Sequence, residues 1–256
     1  AKETSFTGES VLDEIYPNEL LISVVCVTLN AAGTLPDLIN SIREQKTILM
    51  EFVVVDGGSK DDTIEILKAN EDIVDAWISR ADCGIYDAMN SSLNFIRGKW
   101  VIFLGADDLL LNGFNEMLAL LKDSNTIYYG NLMYYGRKFA KKYDDYYLTK
   151  LNICQQAIFY PRSVFAKYNF NLKYRVYADY HLNLRCWADP QFNFFHAEHL
   201  ISSFSDGGFS SYEKDFVFEQ ERDMLFKTYL KKSSYYRYVN RTRGFWVLLL
   251  SLFQPG

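Results

Sequence analysis

The stretch WVIFLGADDLLL, residues 100 to 111, places two adjacent carboxylates directly after an apolar run. The run WVIFLG is partly β-branched, which predicts a buried strand, and Asp107 and Asp108 follow it. Because neighbouring side chains of extended backbone point to opposite sides, the two carboxylates can do different jobs. One can bind a divalent cation while the other accepts a hydrogen bond from a hydroxyl, and such oxygen ligands suit Mg2+ or Mn2+.

Polar side chains also follow two other strand-like runs. EFVVVD ends at Asp56, and LLISVVCVTL leads to Thr28 and Asn30. Ligands of an open α/β sheet bind outside the carboxyl ends of its strands, so these side chains are predicted to share one rim with the paired carboxylates. An alternative is that the adjacent carboxylates only cap the following helix. The third acid on the same rim favours the metal interpretation.

The elements that position this rim are read from the hydrophobic pattern of residues 20 to about 130. The strand-like runs are LLISVVCVTL, EFVVVD, VDAWIS, KWVIFLG and TIYYG. Stripes at helical spacing lie between them, in residues 35–42, 64–67, 85–96 and 114–121. This βαβαβ order predicts an open α/β sheet with right-handed crossovers.

The pattern changes beyond Gly130 to Tyr-rich, charged segments. A helix is predicted to open at Asp179, strands at FNFFH and LISSF, and a helical, charged stretch from Tyr212. We interpret this half as additional α+β elements attached to the sheet and not as a repeat.

Composition excludes some classes of function. The 256 residues carry a formal charge of -5 with a pI near 5.3, so no overall basic field favours nucleic acid. The cysteines show no CxxC pair and no spacing typical of zinc ligands; they are Cys26, Cys83, Cys154 and Cys186. The first residues lack the basic-then-apolar order of a secretory signal. We therefore expect reduced thiols and a cytoplasmic location.

Five motifs carry a resemblance to a known family. ISVVCVTLN, VVVDGGSKDDT, DCGIYDAMN, FLGADD and ADYHLNLR, in this order and at this spacing, resemble the family-2 glycosyltransferases with the GT-A fold, particularly bacterial enzymes that build surface polysaccharides. The resemblance covers roughly residues 20 to 210, and GIYDAMN followed by FLGADD is its most specific part. It implies a Rossmann-like, mostly parallel open sheet flanked by helices, with a C-terminal helical extension.

The resemblance also implies roles on the donor side. ADD, residues 106–108, looks like the DxD element of the family, which makes Asp108 the metal ligand and gives Asp107 a contact to the nucleotide-sugar. Asp56 matches the acid near the nucleotide base, and Gly57 stands where many members have a second Asp. The remaining matches to nucleotide-side positions are Thr28, Asn30 and Asp82.

On the acceptor side, the resemblance implies that Asp179 is the catalytic base. Gln156, Gly207 and Gly208 match elements beside the acceptor, and Gln155 stands where many members have His. The chemistry supports a carboxylate there, since inverting transfer needs a base for the proton of the acceptor hydroxyl. The residues alone favour the alternative that Asp179 is the N-cap of the helix in YADYHLNLRCW, and the resemblance reverses this preference.

The C-terminal sequence combines basic and tyrosine residues with the apolar run GFWVLLLSLF. The run is too short to span a bilayer but suits its interface. Two interpretations stay open, which are peripheral contact with the membrane and a terminal helix docked on protein. The basic residues are Lys227, Lys231, Lys232, Arg237, Arg241 and Arg243.

These observations predict three segments and one activity. Residues 1–19 form an extension, 20–215 the glycosyltransferase domain with a nucleotide-binding half to about 130 and an acceptor half from about 131, and 216–256 a helical tail. The predicted activity is Mn2+- or Mg2+-dependent inverting transfer from a nucleotide-sugar, with UDP expected, to a glycan or lipid-linked glycan. The alternatives are a sugar nucleotidyltransferase, suggested by AAGTLPDL, and a non-catalytic nucleotide-sugar-binding subunit. The expected location is the cytoplasm or the cytoplasmic face of the inner membrane.

Overall fold

The computed structural model of the chain describes residues 20–204 and 214–252, with side chains up to residue 242. Its first half is a parallel sheet with the strand order β3-β2-β1-β4. The strands are β1 (Ile22–Thr28), β2 (Met50–Asp56), β3 (Ala76–Ser79) and β4 (Trp100–Gly105). The helices between them are α1 (Leu35–Gln45), α2 (Thr63–Ala69) and α3 (Ile85–Ser92). The predicted βαβ alternation is confirmed here.

The second half extends this sheet with strands of mixed direction. Its strands are β5 (Leu109–Leu110), β6 (Thr126–Tyr134), β7 (Arg137–Phe139), β8 (Ile158–Pro161) and β9 (Asn193–Phe204). Its helices are α4 (Gly113–Leu118), α5 (Arg162–Phe165), α6 (Ala178–Ala188), α7 (Phe216–Tyr229) and α8 (Lys232–Leu252), with short 3-10 helices at Tyr147–Thr149 and Gln155–Ala157.

Strand β8 is the element that joins the two halves. It pairs antiparallel with β4 on one side and with β6 on the other, so the predicted TIYYG strand, now part of β6, is not the neighbour of β4. FNFFH and LISSF, predicted as separate strands, form the single strand β9, which runs parallel to β6 across an irregularity in register.

The core lies on both faces of the parallel strands, because β1, β2 and β4 are long apolar runs buried on both sides. Alternate residues of these strands belong to two different hydrophobic core clusters. Val25 and Val53 belong to the first cluster, and Val24 and Val54 belong to the second. A sheet covered on both faces leaves its strand ends as the surface for ligands.

The C-terminal helices pack on the domain where their side chains are described. Phe218 and Phe226 of α7 belong to the same core cluster as α6. Tyr238 of α8 packs edge-on against Phe226 at 5.1 Å between ring centroids, and the Arg237 guanidinium lies 3.8 Å from the Tyr146 ring. The first part of α8 is therefore docked on protein. Within the described ranges, none of the helices combines the length and apolar character needed to cross a bilayer.

Candidate active site

Three carboxylates converge on the end of β1. Pairing places Thr28 beside Asp56 and Val27 beside Gly105, so the ends of β1, β2 and β4 lie together. The pKa of the Cys26 thiol, inside β1, reflects this convergence. This pKa is raised well above the ordinary value first by burial and then by the charges of Asp108, Asp107 and Asp56. The rim predicted from the strand ends thus exists.

Asp56 is fully buried and its carboxylate is occupied by the loop that follows it. Its Oδ2 accepts from the backbone N–H groups of Gly58 at 3.0 Å and Ser59 at 2.9 Å, and from the Ser79 hydroxyl at 2.5 Å. Its Oδ1 accepts from the Ser59 hydroxyl. Because these groups surround the carboxylate, Asp56 shapes the loop of residues 57–59.

The same loop is tied to the end of β1. Asn30, at a positive φ of 50°, accepts from Lys60 N–H at 2.8 Å through its Oδ1, and its own N–H donates to Ser59 Oγ at 2.7 Å. The carbonyl of Thr28 accepts from Gly57 N–H at 2.8 Å. The Thr28 hydroxyl is buried and has no hydrogen-bond partner among the described residues, which leaves it for a ligand.

Asp82 lies against Gly57. Its Oδ1 accepts from Gly84 N–H at 2.8 Å, and a Cβ on Gly57 would come within 2.8 Å of its Oδ2. The missing side chain at Gly57, where many members of the resembling family have a second Asp, therefore makes room for the carboxylate of Asp82.

Asp108 is the buried acid that the protein leaves incompletely bonded. It is 1 % exposed, its Oδ2 accepts from Gly105 N–H at 2.7 Å, and its Oδ1 has no hydrogen-bond partner in the described part of the chain. Burial and then the charge of Asp107 raise the pKa of Asp108 to about 8, while Gly105 and the Gln156 side chain act in the opposite direction. Helix α4 begins at Gly113 after the N-cap Asn112, so the helix-cap alternative for the two acids is wrong.

The donor set of this rim fits a hard divalent cation. A buried carboxylate oxygen without a partner is costly, and a bound cation removes that cost. Over residues 20–204 and 214–242, no cluster of three or more His, Cys, Asp or Glu side chains could hold a metal. Mg2+ and Mn2+ are commonly held by one or two carboxylates together with water and substrate phosphates. Asp108, with its unpartnered oxygen, is the residue of this rim that could hold such an ion.

Asp179 is a buried carboxylate in the first turn of α6. The helix begins at Ala178 with Tyr177 as the N-cap residue, so the interpretation of Asp179 as the N-cap is wrong. Its Oδ1 accepts from the Tyr86 hydroxyl at 2.9 Å and its Oδ2 from Asn152 Nδ2 at 2.6 Å. Burial raises its pKa to about 6, against the lowering effect of these bonds and of the helix amides. That value suits a base working near neutral pH.

One short segment, residues 152–156, lies beside both acids. Asn152 donates to Asp179, and the Gln156 side chain lowers the pKa of Asp108. Between them, the thiol of Cys154 has its pKa raised to about 12 by burial, by Asp108 and by Asp179. The metal-ligand candidate and the base candidate thus belong to one site.

The structure describes only some of the remaining acceptor-side candidates. Gln156 accepts from the Cys154 thiol at 2.8 Å through its Oε1, and Gln155 donates to the sulfur of Met89 at 3.1 Å. Gly207 and Gly208 lie outside the described residues. The acceptor role of these residues stays a prediction, as does the division into three segments.

Sequence reasoning missed the two residues that hold Asp179. Tyr86 lies within the GIYDAMN motif, but the sequence pattern gave it no role of its own. Asn152 lies in KLNICQQ, a segment without periodicity, which offered no signal.

Comparison with known proteins identifies the family. The sequence profile described as Glycosyl transferase family 2 matches residues 23–180, more than half of the chain. The chain belongs to glycosyltransferase family 2. A PGL/p-HBAD biosynthesis glycosyltransferase of Mycobacterium tuberculosis is 34% identical to this glycosyltransferase over 213 residues, which cover 77% of this chain and 82% of that protein. The Escherichia coli UDP-Glc:alpha-D-GlcNAc-diphosphoundecaprenol beta-1,3-glucosyltransferase WfgD is 26% identical over 117 residues, 44% of this chain and 46% of that protein.

Solved structures share the fold of this glycosyltransferase at low identity. S. aureus TarS, residues 1–349 in complex with UDP-GlcNAc, matches with a TM-score of 0.66 at 17% identity, covering 80% of this chain and 65% of that one. The mannosyltransferase PcManGT from Pyrobaculum calidifontis, in complex with GDP-Man and Mn2+, matches with a TM-score of 0.58 at 14% identity, covering 81% and 62%. The glycosyltransferase thus has the predicted GT-A fold, and the comparisons do not support the nucleotidyltransferase or non-catalytic alternatives.

Proposed function

We propose that this glycosyltransferase moves a sugar from a UDP-sugar to a glycan or lipid-linked glycan, with inversion at the anomeric carbon and with Mn2+ or Mg2+ bound. The observation that carries the proposal is the pair of buried carboxylates beside residues 152–156. Among the residues that the structure describes, Asp108 has an oxygen without a partner, and burial raises the pKa of Asp179 to about 6. The unpartnered oxygen of Asp108 suits a cation, and the carboxylate of Asp179 suits the uptake of a proton.

The donor would lie on the rim of strand ends. Asp108 would hold the metal and Asp107 would contact the nucleotide-sugar, and the Thr28 hydroxyl, which has no partner in the described part of the chain, would lie nearby. The other proposed nucleotide-side residues are Asn30, Asp82 and Asp56, the last through the loop of residues 57–59 that it shapes. A bound divalent cation would stabilise the charge that grows on the leaving diphosphate. UDP as the nucleotide is supported by the UDP-GlcNAc complex of TarS and by the donor in the name of WfgD.

The transfer step assigns the proton to Asp179. Its ionised carboxylate takes the proton of the acceptor hydroxyl while that oxygen forms a bond to the anomeric carbon. The bond from the anomeric carbon to the diphosphate oxygen breaks on the opposite face, and the nucleoside diphosphate leaves with that electron pair. Gln156, Gly207 and Gly208 are the residues we propose beside the acceptor.

The lipid-linked class of acceptor is supported by the diphosphoundecaprenol in the name of WfgD. An acceptor of this kind would place the enzyme at the cytoplasmic face of a membrane. Lys231, Lys232 and Arg241 are exposed near α8 and would attract anionic lipid, by about 1 kcal/mol each near the surface. Co-sedimentation with anionic liposomes at low and high salt tests this contact, and a chain that stays in the supernatant at low salt would contradict it.

The experiment for the activity has two stages. Nucleotide-sugars are first screened for thermal stabilisation of the protein with and without Mn2+, and stabilisers are then tested for release of the nucleoside diphosphate. UDP-sugars are expected to stabilise the protein, and more strongly with metal. A response to none of the UDP-sugars would remove the donor assignment.

A separate experiment replaces the proposed base. Asp179→Asn keeps the side-chain shape, so donor affinity should be unchanged while transfer falls by about a hundredfold or more. Asp189→Asn is the matched control, because Asp189 is also a buried acid of this region but pairs with Lys167 beyond the other end of α6. The control should lose stability and keep transfer. Normal turnover of Asp179→Asn would place the base elsewhere.

A further inference from the structure

Asp179 lies in a buried polar network built from separate elements. Asn152 donates to its Oδ2, Asn183 Nδ2 donates to Asn152 Oδ1 at 2.9 Å, and the Tyr160 hydroxyl donates to Asn183 Oδ1 at 2.8 Å. Because its oxygen already accepts from Asn183, the amide of Asn152 has a fixed orientation. It therefore presents only N–H to Asp179 Oδ2.

The other oxygen of Asp179 faces a group that can change its role. The Tyr86 hydroxyl has one proton but two acceptors in reach, the carbonyl of Val176 at 2.7 Å and Asp179 Oδ1 at 2.9 Å. A carbonyl can only accept, whereas a hydroxyl can donate and accept. With Asp179 ionised, its charged oxygen is the stronger of the two acceptors, so the hydroxyl donates to it and stabilises the ionised form. With a proton on Oδ1, Asp179 donates to Tyr86 and Tyr86 donates to Val176, so every group is satisfied.

The surrounding residues hold the Val176 carbonyl and the ring of Tyr86 in place. The N–H groups of Val176 and Tyr177 donate to Asp215 Oδ2 at 2.9 and 3.1 Å, and the second belongs to the same planar peptide unit as the Val176 carbonyl, which it fixes. The ring of Tyr86 packs on Phe170 at 5.3 Å between centroids. Asn90 of α3 exchanges two hydrogen bonds with the backbone of Phe170, at 2.9 and 3.0 Å. The hydroxyl can therefore turn about its C–O bond while its oxygen stays in position.

We propose that Tyr86 and Asn152 are positioning residues for proton transfer: Asn152 fixes the carboxylate of Asp179, and the rotating Tyr86 hydroxyl accommodates it both before and after it takes the acceptor proton. The inference rests on the proposed role of Asp179 as the base. The proton leaves the acceptor oxygen and ends on Asp179, which stores it on Oδ1 until it is released to water after the product leaves. Tyr86 keeps its own proton throughout.

The pKa of Asp179 is expected to depend on the neighbouring side chains. The titratable groups whose pKa values are influenced by the charge of Asp179 are Tyr86, Cys154, Tyr160, Tyr177 and Tyr180, and Asp215 lies nearby against the backbone of Val176 and Tyr177. The tyrosines and the cysteine among them have their pKa values raised by burial, so they stay neutral at working pH. The bond from Tyr86 is the largest influence that lowers the pKa of Asp179, and the bond from Asn152 is smaller. Loss of either donor should therefore raise that pKa.

The test uses the full chain and needs no substrate for its first readout. The carboxyl resonances of isotope-labelled aspartate are titrated from about pH 4 to about pH 9, and Asp179→Asn assigns the resonance of Asp179. Tyr86→Phe should move its titration up by about one pH unit, and Asn152→Ala by less. Tyr174→Phe is the matched control, because this buried hydroxyl donates to Glu221 at 2.6 Å, outside the site. It should leave the titration unchanged.

The second readout is the pH dependence of UDP-GlcNAc or UDP-glucose turnover with Mn2+. A base works when ionised, so the wild type should gain activity as the pH rises through about 6. Tyr86→Phe should move this limb to higher pH and lower kcat with the donor KM unchanged. An unshifted titration in folded Tyr86→Phe would overturn the proposal, and if that variant did not fold, an unshifted Asn152→Ala would do the same. Full turnover of Asp179→Asn would instead reject the proposed base.

Discussion

The ends of β2 and β4 each carry a fully buried carboxylate on the same rim, yet their surroundings differ. Asp56 accepts hydrogen bonds at both oxygens from the loop that follows it, so folding alone satisfies it. Asp108 keeps one buried oxygen without a partner among the described residues. Burial at a strand end does not separate a structural acid from a ligand-binding one. The unsatisfied oxygen does, because the cost of burying it is recovered only when a ligand binds.

The largest effect that tests this contrast is expected from Asp108→Asn. If Asp108 holds the metal as proposed, the affinity for the UDP-sugar in the presence of Mn2+ should fall by about a hundredfold or more, because the metal would lose its carboxylate ligand. The melting temperature should not fall, since a poorly compensated buried acid is replaced by a neutral side chain. Calorimetric titration with and without Mn2+ measures the first quantity. If the metal-dependent affinity were unchanged, the unpartnered oxygen would not distinguish Asp108 from Asp56 as a metal ligand.

The second effect comes from the other acid. Asp56→Asn places an amide N–H against groups that are themselves donors, so the free energy of unfolding should fall by about 2 kcal/mol. Donor binding should weaken only as far as the loop of residues 57–59 loses its shape. Urea unfolding of this variant beside Asp108→Asn gives the comparison directly. A stable Asp56→Asn that lost donor binding would show that Asp56 contacts the ligand itself.

A smaller effect is expected from Ser79→Ala, which removes one donor to Asp56 Oδ2 and leaves the loop amides in place. The loss of stability should be about 1 kcal/mol. Ser163→Ala is the control, because that exposed hydroxyl donates to the Ser124 carbonyl at 2.7 Å outside the site. Equal losses for the two serines would mean that the carboxylate of Asp56 does not depend on its full set of donors.

The smallest effect concerns the contact between Gly57 and Asp82. In Gly57→Ala the new methyl group would displace the carboxylate of Asp82, at a cost of about 0.5 to 1 kcal/mol in a double-mutant cycle. The cost should disappear in the Asp82→Ala background. Additive losses in the two variants would show that the methyl group meets an obstacle other than Asp82.

The parallel half of the fold follows from the sequence because its strands are continuous apolar runs between turn signals. The insertion of β8 between β4 and β6 does not follow, since the short run IFYP carries no information about its partner strands. The two predicted strands of β9 merge because a mixed segment, AEH, lies within one long strand. Pattern therefore gives the existence of a strand more readily than its place in the sheet.

The candidate site divides in the same way. Asp56, Asp107 and Asp108 could be found because each follows a recognisable strand. The supports of Asp179 could not, because Tyr86 and Asn152 lie 93 and 27 positions away along the chain. Only the packing of α3, β8 and α6 brings such residues together, and a single sequence does not contain that packing as a local pattern.

The strand β8 has a consequence for attempts to recombine this enzyme with a relative of different acceptor preference. Residues 152–156 contact both acids and lead into β8, and β8 pairs with β4 through Trp100 and Pro161. A crossover placed near residue 130, between the predicted halves, would take this segment from a foreign parent and separate it from the β4 on which it is seated. A crossover after Pro161 would keep the strand pair and the segment from one parent, so it is the better junction for a chimeric enzyme.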